Sequence, residues 1–189
     1  MEQNPLIKDI RTVPNLLTLL RLLATVPLYL LISSNHLWIG LGVFLIGAVL
    51  DALDGLVARG SNQVTEFGKI FDPFADKVFF LAALFILTPS NLIWMWWVLF
   101  ALEWKLFAGS IIGAVLLYKY NKKWFKLGAN VWGKTKIHLE VSLILLLFVD
   151  KLIVKVNEAL LIIVFVATTG LALMSIVGHI KSLKLQKNT

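Results

Sequence analysis

A chain of 189 residues in which 59% are hydrophobic and only 15% charged is not a soluble domain, where charged residues make up about 25%, and its mean hydropathy of +0.84 agrees. The lack of cysteine excludes disulfides, thiolate metal sites and a cysteine nucleophile, and the wide separation of His36, His138 and His179 argues against a histidine-built metal site. The net charge of +7 belongs to no separate basic domain. It reads as loops facing anionic headgroups and phosphorylated substrates rather than nucleic acid.

In chain order, Met1 to Val13 carries Glu2, Lys8, Asp9 and Arg11, with Leu6 and Ile10 on one side. This pattern suits a short interfacial helix. No small-residue cleavage site follows the next apolar run, so no cleavable signal peptide is expected. Six apolar spans then follow, several of them reaching the roughly 20 residues that cross a bilayer. They run from about Asn15 to Ile32, Leu37 to Ala58, Pro73 to Leu87, Leu92 to Tyr118, Ile137 to Val149 and Val156 to Ile180. The third and fifth are short, and their polar ends, Asp72 to Lys77 and Lys134 to Glu140, are expected to continue as helix. Turn signals at Ser33-Ser34-Asn35, Gly60-Ser61-Asn62, Pro89-Ser90-Asn91 and Gly128-Ala129-Asn130 separate the spans.

The expected architecture is therefore all-α, one six-span polytopic membrane domain over residues 1–189 with no dividing linker. Lysine and arginine set its orientation. Lys8, Arg11, Arg59, Lys69, Lys77, the six lysines between Lys119 and Lys136, and Lys181, Lys184 and Lys187 fall on one side, against Lys151 and Lys155 on the other. Both termini are predicted to face the cytoplasm from the cell (inner) membrane. Trp94, Trp96 and Trp97 read as an interfacial belt on the far side. Thr168, Thr169 and Gly170 read as small-residue helix contacts, with dimer packing as the alternative.

The stretch from Asp51 to Lys77, DALDGLVARGSNQVTEFGKIFDPFADK, carries the chemistry. Asp51, Asp54 and Ala58 share a helical face, as do Asp72 and Asp76. Gly55, beside the first face, permits close approach of a ligand. Two carboxylate pairs thus sit at the same-side ends of consecutive spans, where they repel unless cations compensate. An all-oxygen donor set favours Mg²⁺ or Mn²⁺. Two such ions can neutralise a diphosphate and stabilise attacking and leaving oxygens. Taken singly, each Asp could equally be a helix cap or a partner of Arg59, Lys69 or Lys77.

This stretch resembles the signature of the CDP-alcohol phosphotransferase family, D-x2-D-G-x2-A-R-x8-G-x3-D-x3-D. Asp51, Asp54, Gly55, Ala58, Arg59, Gly68, Asp72 and Asp76 fill it with every spacing met. The opening Pro14-Asn15-Leu16-Leu17-Thr18-Leu19-Leu20-Arg21 is similar to the family's lead into its first span. The resemblance implies that Asp51, Asp54, Asp72 and Asp76 hold two metal ions and that Asp76 also takes the proton of the attacking hydroxyl. It implies that Gly55, Ala58, Arg59 and Gly68 line the pocket for the CDP group of CDP-diacylglycerol, whose acyl chains lie in a groove open to membrane lipid. It further implies release of CMP. A homodimer is the expected assembly.

Gly133-Lys134-Thr135-Lys136 is similar to an element of phosphatidylglycerolphosphate synthases, and Lys134 and Lys136 at a helix start suit the phosphate of glycerol 3-phosphate. The same lysines also serve as positive-inside anchors. The arginines usual in the fourth span of those synthases are missing. Glu103 and Lys105 stand there instead, as an intramembrane pair or facing the site. Cardiolipin synthesis from phosphatidylglycerol and inositol-phosphate acceptors therefore stay open. A small cation-coupled transporter, the rival from another class, would place carboxylates near mid-span in pseudo-symmetric halves, and this chain has neither.

Overall fold

The computed structural model describes residues 12–60, 65, 68–119 and 131–187, so the expected interfacial helix falls outside the described residues up to Arg11. Among the described residues the chain is all-helical: α1 (Val13–Ser33), α2 (Leu37–Gly60), α3 (Gly68–Leu87), a 3-10 turn (Ser90–Leu92), α4 (Ile93–Lys119), α5 (Val131–Leu152) and α6 (Glu158–Lys187). All six predicted spans are helical. The polar ends of the third and fifth continue as helix, as expected. Among the described residues three segments are long and apolar enough to cross a membrane by length and composition: Val13–Ser33, Ser90–Gly109 and Glu158–Ser175, with Leu37–Asp51 a shorter apolar helix. The starts of α3 and α5 carry the charged residues that lower their hydropathy.

Two compact units divide the chain, Met1–Thr88 and Pro89–Thr189. In the first, α1 opens with Thr12 as its N-cap, whose side chain accepts from the Asn15 amide, and with Pro14 in the first turn. Proline suits that position because its missing N–H would lack a helical partner anyway. The helix ends where Asn35 adopts φ 61°. There the Asn35 amide donates to Ile32 O (3.0 Å) and the His36 amide to Leu31 O (2.8 Å), the left-handed C-terminal motif that asparagine tolerates. Three residues thus return the chain as α2, antiparallel to α1.

Helix α1 packs against both α2 and α3. Its buried side is not apolar along its first half: Asn15, Thr18 and Arg21 are buried, followed by Leu28 and Ile32. Leu16, Leu20 and Leu23 face outward at 47–58% exposure. Polar residues inside and leucines outside is the reverse of a soluble helix and matches a lipid surround, in which apolar side chains gain nothing by leaving the tails. Helix pairing then depends on close fit and polar contacts. Between α2 and α3 the fit is made by Phe44 and Phe79, stacked with centroids 5.8 Å apart and planes 2° apart, and by Gly47, where an added Cβ would run into the Phe79 ring.

In the second unit α6 packs against α5 and α4, around Leu143, Ile144, Leu147, Phe148, Leu161 and Phe165. Trp94 meets Phe165 edge to face at 5.2 Å. The turn between α5 and α6 is closed by Asp150, which accepts from the Val156 amide (3.0 Å) and from Lys155 Nζ (3.2 Å). Asn157 caps α6 by accepting from the Ala159 amide at 2.8 Å. Trp94 and Trp97 remain 45% and 59% exposed, the disposition a headgroup belt requires. The small-residue contacts expected in α6 divide: Thr168 is fully buried, while an added Cβ at Gly170 would meet nothing within 4 Å.

Replacing Gly47 by Ala should cost about 1–3 kcal/mol through overpacking against Phe79. Thermal unfolding of the detergent-solubilised protein should show a lowered Tm, restored by Phe79→Leu in the same chain. An unchanged Tm for Gly47→Ala would refute this packing.

Candidate functional site

The site is built on the buried polar face of α1. Asn15, Thr18 and Arg21 recur every three residues, which keeps them on one side over about 9 Å of helix. Each reaches a different partner on the two following helices or between them. Arg21 pairs through Nη1 with Asp51 Oδ1 on α2 and through Nη2 with Asp76 Oδ1 on α3. Thr18 Oγ1 donates to Asp72 Oδ1 on α3 at 2.7 Å, with Pro14 O at 3.1 Å as a second acceptor. The shorter, charge-assisted contact is the stronger of the two. Asn15 Nδ2 donates to Thr65 Oγ1 (3.2 Å), which also accepts from the Gly68 amide (2.9 Å).

Three of the four signature aspartates thus converge on one face of one helix. The Arg21 side chain is 2% exposed, whereas those of Asp51 and Asp76 are 41% and 40% exposed. Each carboxylate meets the buried cation, and its exposed fraction leaves surface for a ligand. Asp72, just before the apolar part of α3, shows the strain of the arrangement. Burial pushes its carboxyl above the ordinary range, the Thr18 hydrogen bond and the Arg21 charge oppose this, and Asp51 adds to it. One guanidinium does not balance these carboxylates, and their all-oxygen donor set fits hard divalent cations. Among the described residues no three acidic or histidine side chains form a group that could hold an ion by themselves. The backbone of α2 carries Asp54, Gly55, Ala58 and Arg59 in helix, but their side chains fall outside the described residues.

Gly68 is buried, and an added Cβ there would lie 2.7 Å from Asn15 Oδ1 and 3.0 Å from Thr65 Oγ1. The glycine therefore lets the starts of α1 and α3 come together through Thr65. Arg21, Thr18 and Asn15 are the site residues that sequence reasoning passed over as candidates. The available signal was an arginine, a threonine and an asparagine spaced by three within an otherwise apolar span.

In the second unit Lys136 is buried between two carboxylates, 2.5 Å from Glu103 on α4 and 2.8 Å from Glu140 one turn along α5. Of the two alternatives for Glu103 and Lys105, a mutual pair or a place facing the site, the mutual pair is not formed. Residues two apart point to different sides of a helix, so Lys105 is exposed while Glu103, 2% exposed, meets Lys136. The Lys134 side chain falls outside the described residues.

A family model described as CDP-alcohol phosphatidyltransferase matches residues 11–174. The chain belongs to the CDP-alcohol phosphatidyltransferase family. Its apolar helices are those of a membrane-protein family. Among relatives, a CDP-diacylglycerol–glycerol-3-phosphate 3-phosphatidyltransferase of Aquifex aeolicus is 52% identical over 68 residues, covering 35% of this chain and 38% of the relative. A protein of the same name from Cereibacter sphaeroides is 40% identical over 81 residues, covering 41% and 37%. A cardiolipin synthase (CMP-forming) of Rattus norvegicus is 40% identical over 84 residues, covering 43% and 28%. The chain thus spans less than half the length of these curated relatives.

Removing Lys136 from this family member leaves two buried carboxylates without a cation. Lys136→Met should destabilise the protein by about 3–5 kcal/mol, read as a fall in Tm in detergent, with Glu103→Gln/Lys136→Met milder than Lys136→Met alone. Equal Tm for Lys136→Met and wild type would show that the pairs carry no stability.

Proposed function

We propose that the protein transfers the phosphatidyl group of CDP-diacylglycerol to glycerol 3-phosphate, forming phosphatidylglycerol phosphate and CMP. The observation that carries this reading is the convergence of Asp51, Asp72 and Asp76 on Arg21 and Thr18 within a complete family signature, in a chain whose relatives include proteins named for that reaction. The domain is proposed to run over residues 1–189, supported by a family match that extends across both units.

In this reading Asp51, Asp54, Asp72 and Asp76 hold two divalent ions, Mg²⁺ or Mn²⁺. When bound, these supply charge neutralisation for the diphosphate and the leaving oxygen. The acceptor oxygen attacks the phosphorus that carries the diacylglycerol, and its proton passes to Asp76. The bond from that phosphorus to the CMP oxygen breaks, and the electron pair leaves with CMP. Gly55, Ala58, Arg59 and Gly68 line the CDP pocket. Lys134 and Lys136 attract the acceptor's phosphate, Lys136 while it keeps Glu103 and Glu140 as partners. Six spans, cytoplasmic termini and a homodimer complete the proposal, supported by the lysine asymmetry and by open space beside Gly170.

The second reading is cardiolipin synthesis from phosphatidylglycerol. The missing fourth-span arginines and the relative named cardiolipin synthase favour it. One assay separates the two: CMP release by purified protein from CDP-diacylglycerol with each acceptor. Faster turnover with glycerol 3-phosphate is expected, together with complete loss in excess chelator. Faster turnover with phosphatidylglycerol would select the second reading, and full activity in chelator would sink the metal assignment.

In the same assay Asp51→Asn or Asp72→Asn should abolish turnover. Asp76→Asn should lower kcat by about a hundredfold or more while largely sparing donor affinity, as expected for loss of a general base. Near-wild-type kcat in Asp76→Asn would remove Asp76 as the base. Lys134→Ala should raise the acceptor KM by about tenfold or more, since a charge-assisted contact is worth roughly 1.5–3 kcal/mol, and an unchanged KM would free it of that role.

A further inference from the structure

Arg21 pairs with Asp51 and with Asp76, and it is 1% exposed. The two carboxylates come from different helices, and each keeps about two-fifths of its side chain exposed. A divalent ion reaching either of them enters beside a buried positive charge, and like charges at contact distance repel. The guanidinium and the ions therefore compete for the same two carboxylates, even where they bond to different oxygens.

We propose that Arg21 is an exchangeable counterion: it holds Asp51 and Asp76 until divalent ions take those carboxylates, and then turns to an anionic oxygen of the donor's diphosphate. The first half rests on the metal assignment above, and the second on the phosphatidyl-transfer reading. Net charge supports the order of events. Four aspartates with Arg21 and Arg59 leave two negative charges, which repel a diphosphate. Two divalent ions reverse this to two positive charges, which attract it. Burial supports the destination. A guanidinium with five N–H donors and almost no exposure cannot turn to water when its carboxylates are taken, so it must meet another anion. Phosphate oxygens accept the same forked pair of hydrogen bonds as a carboxylate. Arg21 is then a positioning residue before the ions arrive and a donor-binding residue afterwards. A fixed strut that merely orients the two aspartates would have the opposite signature, since its removal would loosen the ions.

The test is Mn²⁺ binding to the purified full chain in detergent without substrate, with free Mn²⁺ followed by electron paramagnetic resonance. Arg21→Gln is expected to bind Mn²⁺ about tenfold tighter than wild type, within the usual range of coupling between two sites. Its Tm should also rise more on adding Mn²⁺. Equal or weaker binding would overturn the proposal. If Arg21→Gln fails to fold, Arg21→Lys takes its place. Its single ammonium cannot fork across two carboxylates, so tighter Mn²⁺ binding by a smaller factor is expected, and equal or weaker binding is again fatal. A second titration, with CDP at saturating Mn²⁺, reads the donor half. Wild type should bind CDP only with Mn²⁺ present, and the variant about tenfold more weakly. Equal CDP affinity in both would overturn the donor half. A wild type that binds no CDP at all would sink the phosphatidyl-transfer reading itself, leaving the Mn²⁺ comparison to judge Arg21 as a counterion.

Discussion

A guanidinium withdrawn from water has to be met by anions, and in the first unit that requirement organises everything around it. Arg21 lies on the buried side of α1, and the anions that meet it come from α2 and α3. With both pairs made, α1 can neither rotate nor slide against its neighbours without stranding a buried charge, which costs several kcal/mol. The polar contacts of Thr18 with Asp72 and of Asn15 with Thr65 repeat the constraint one and two turns earlier. Together they set the register of three helices at the end where the aspartates gather, while Phe44, Gly47 and Phe79 set the spacing further along.

The second unit uses the same chemistry for a different end. Lys136 sits between Glu103 and Glu140, so one cation faces two carboxylates there as well. All three side chains are at most 10% exposed, whereas Asp51 and Asp76 stay about two-fifths exposed. A closed cluster suits the holding of α4 to α5. An open one suits a ligand. The contrast separates carboxylates placed for structure from carboxylates placed for chemistry, although each group is acidic and each has a buried cation at its centre.

Family membership and local geometry bear on different parts of the function. The family match covers most of the chain and accounts for the signature aspartates. The geometry adds the face of α1 on which they converge, and with it a reason for the Pro14–Arg21 opening to accompany the signature. Gly68 gains a physical role of the same kind: a side chain there would strike Asn15 and Thr65, so the two polar helix starts could no longer meet.

Much was legible in the sequence because membrane helices announce themselves. Runs of apolar residues broken by Ser-Ser-Asn or Pro-Ser-Asn place the six helices within a few residues, and the three- and four-residue spacings put each aspartate pair on one helical face. Those are local properties, set by hydropathy and by 3.6 residues per turn. Which charge meets which is not local. Glu103 stands two residues from Lys105 and 33 from Lys136, and it pairs with Lys136, because the direction of a side chain around its helix decides whom it can reach. Arg21 likewise lies 30 residues from Asp51, and nothing in the spacing of α1 names its partners. The sequence by itself determined the helices, the acidic signature and the family. Only the tertiary structure decided that a buried arginine draws two of the signature aspartates together, because a buried charge is satisfied by whatever anion the fold brings within reach.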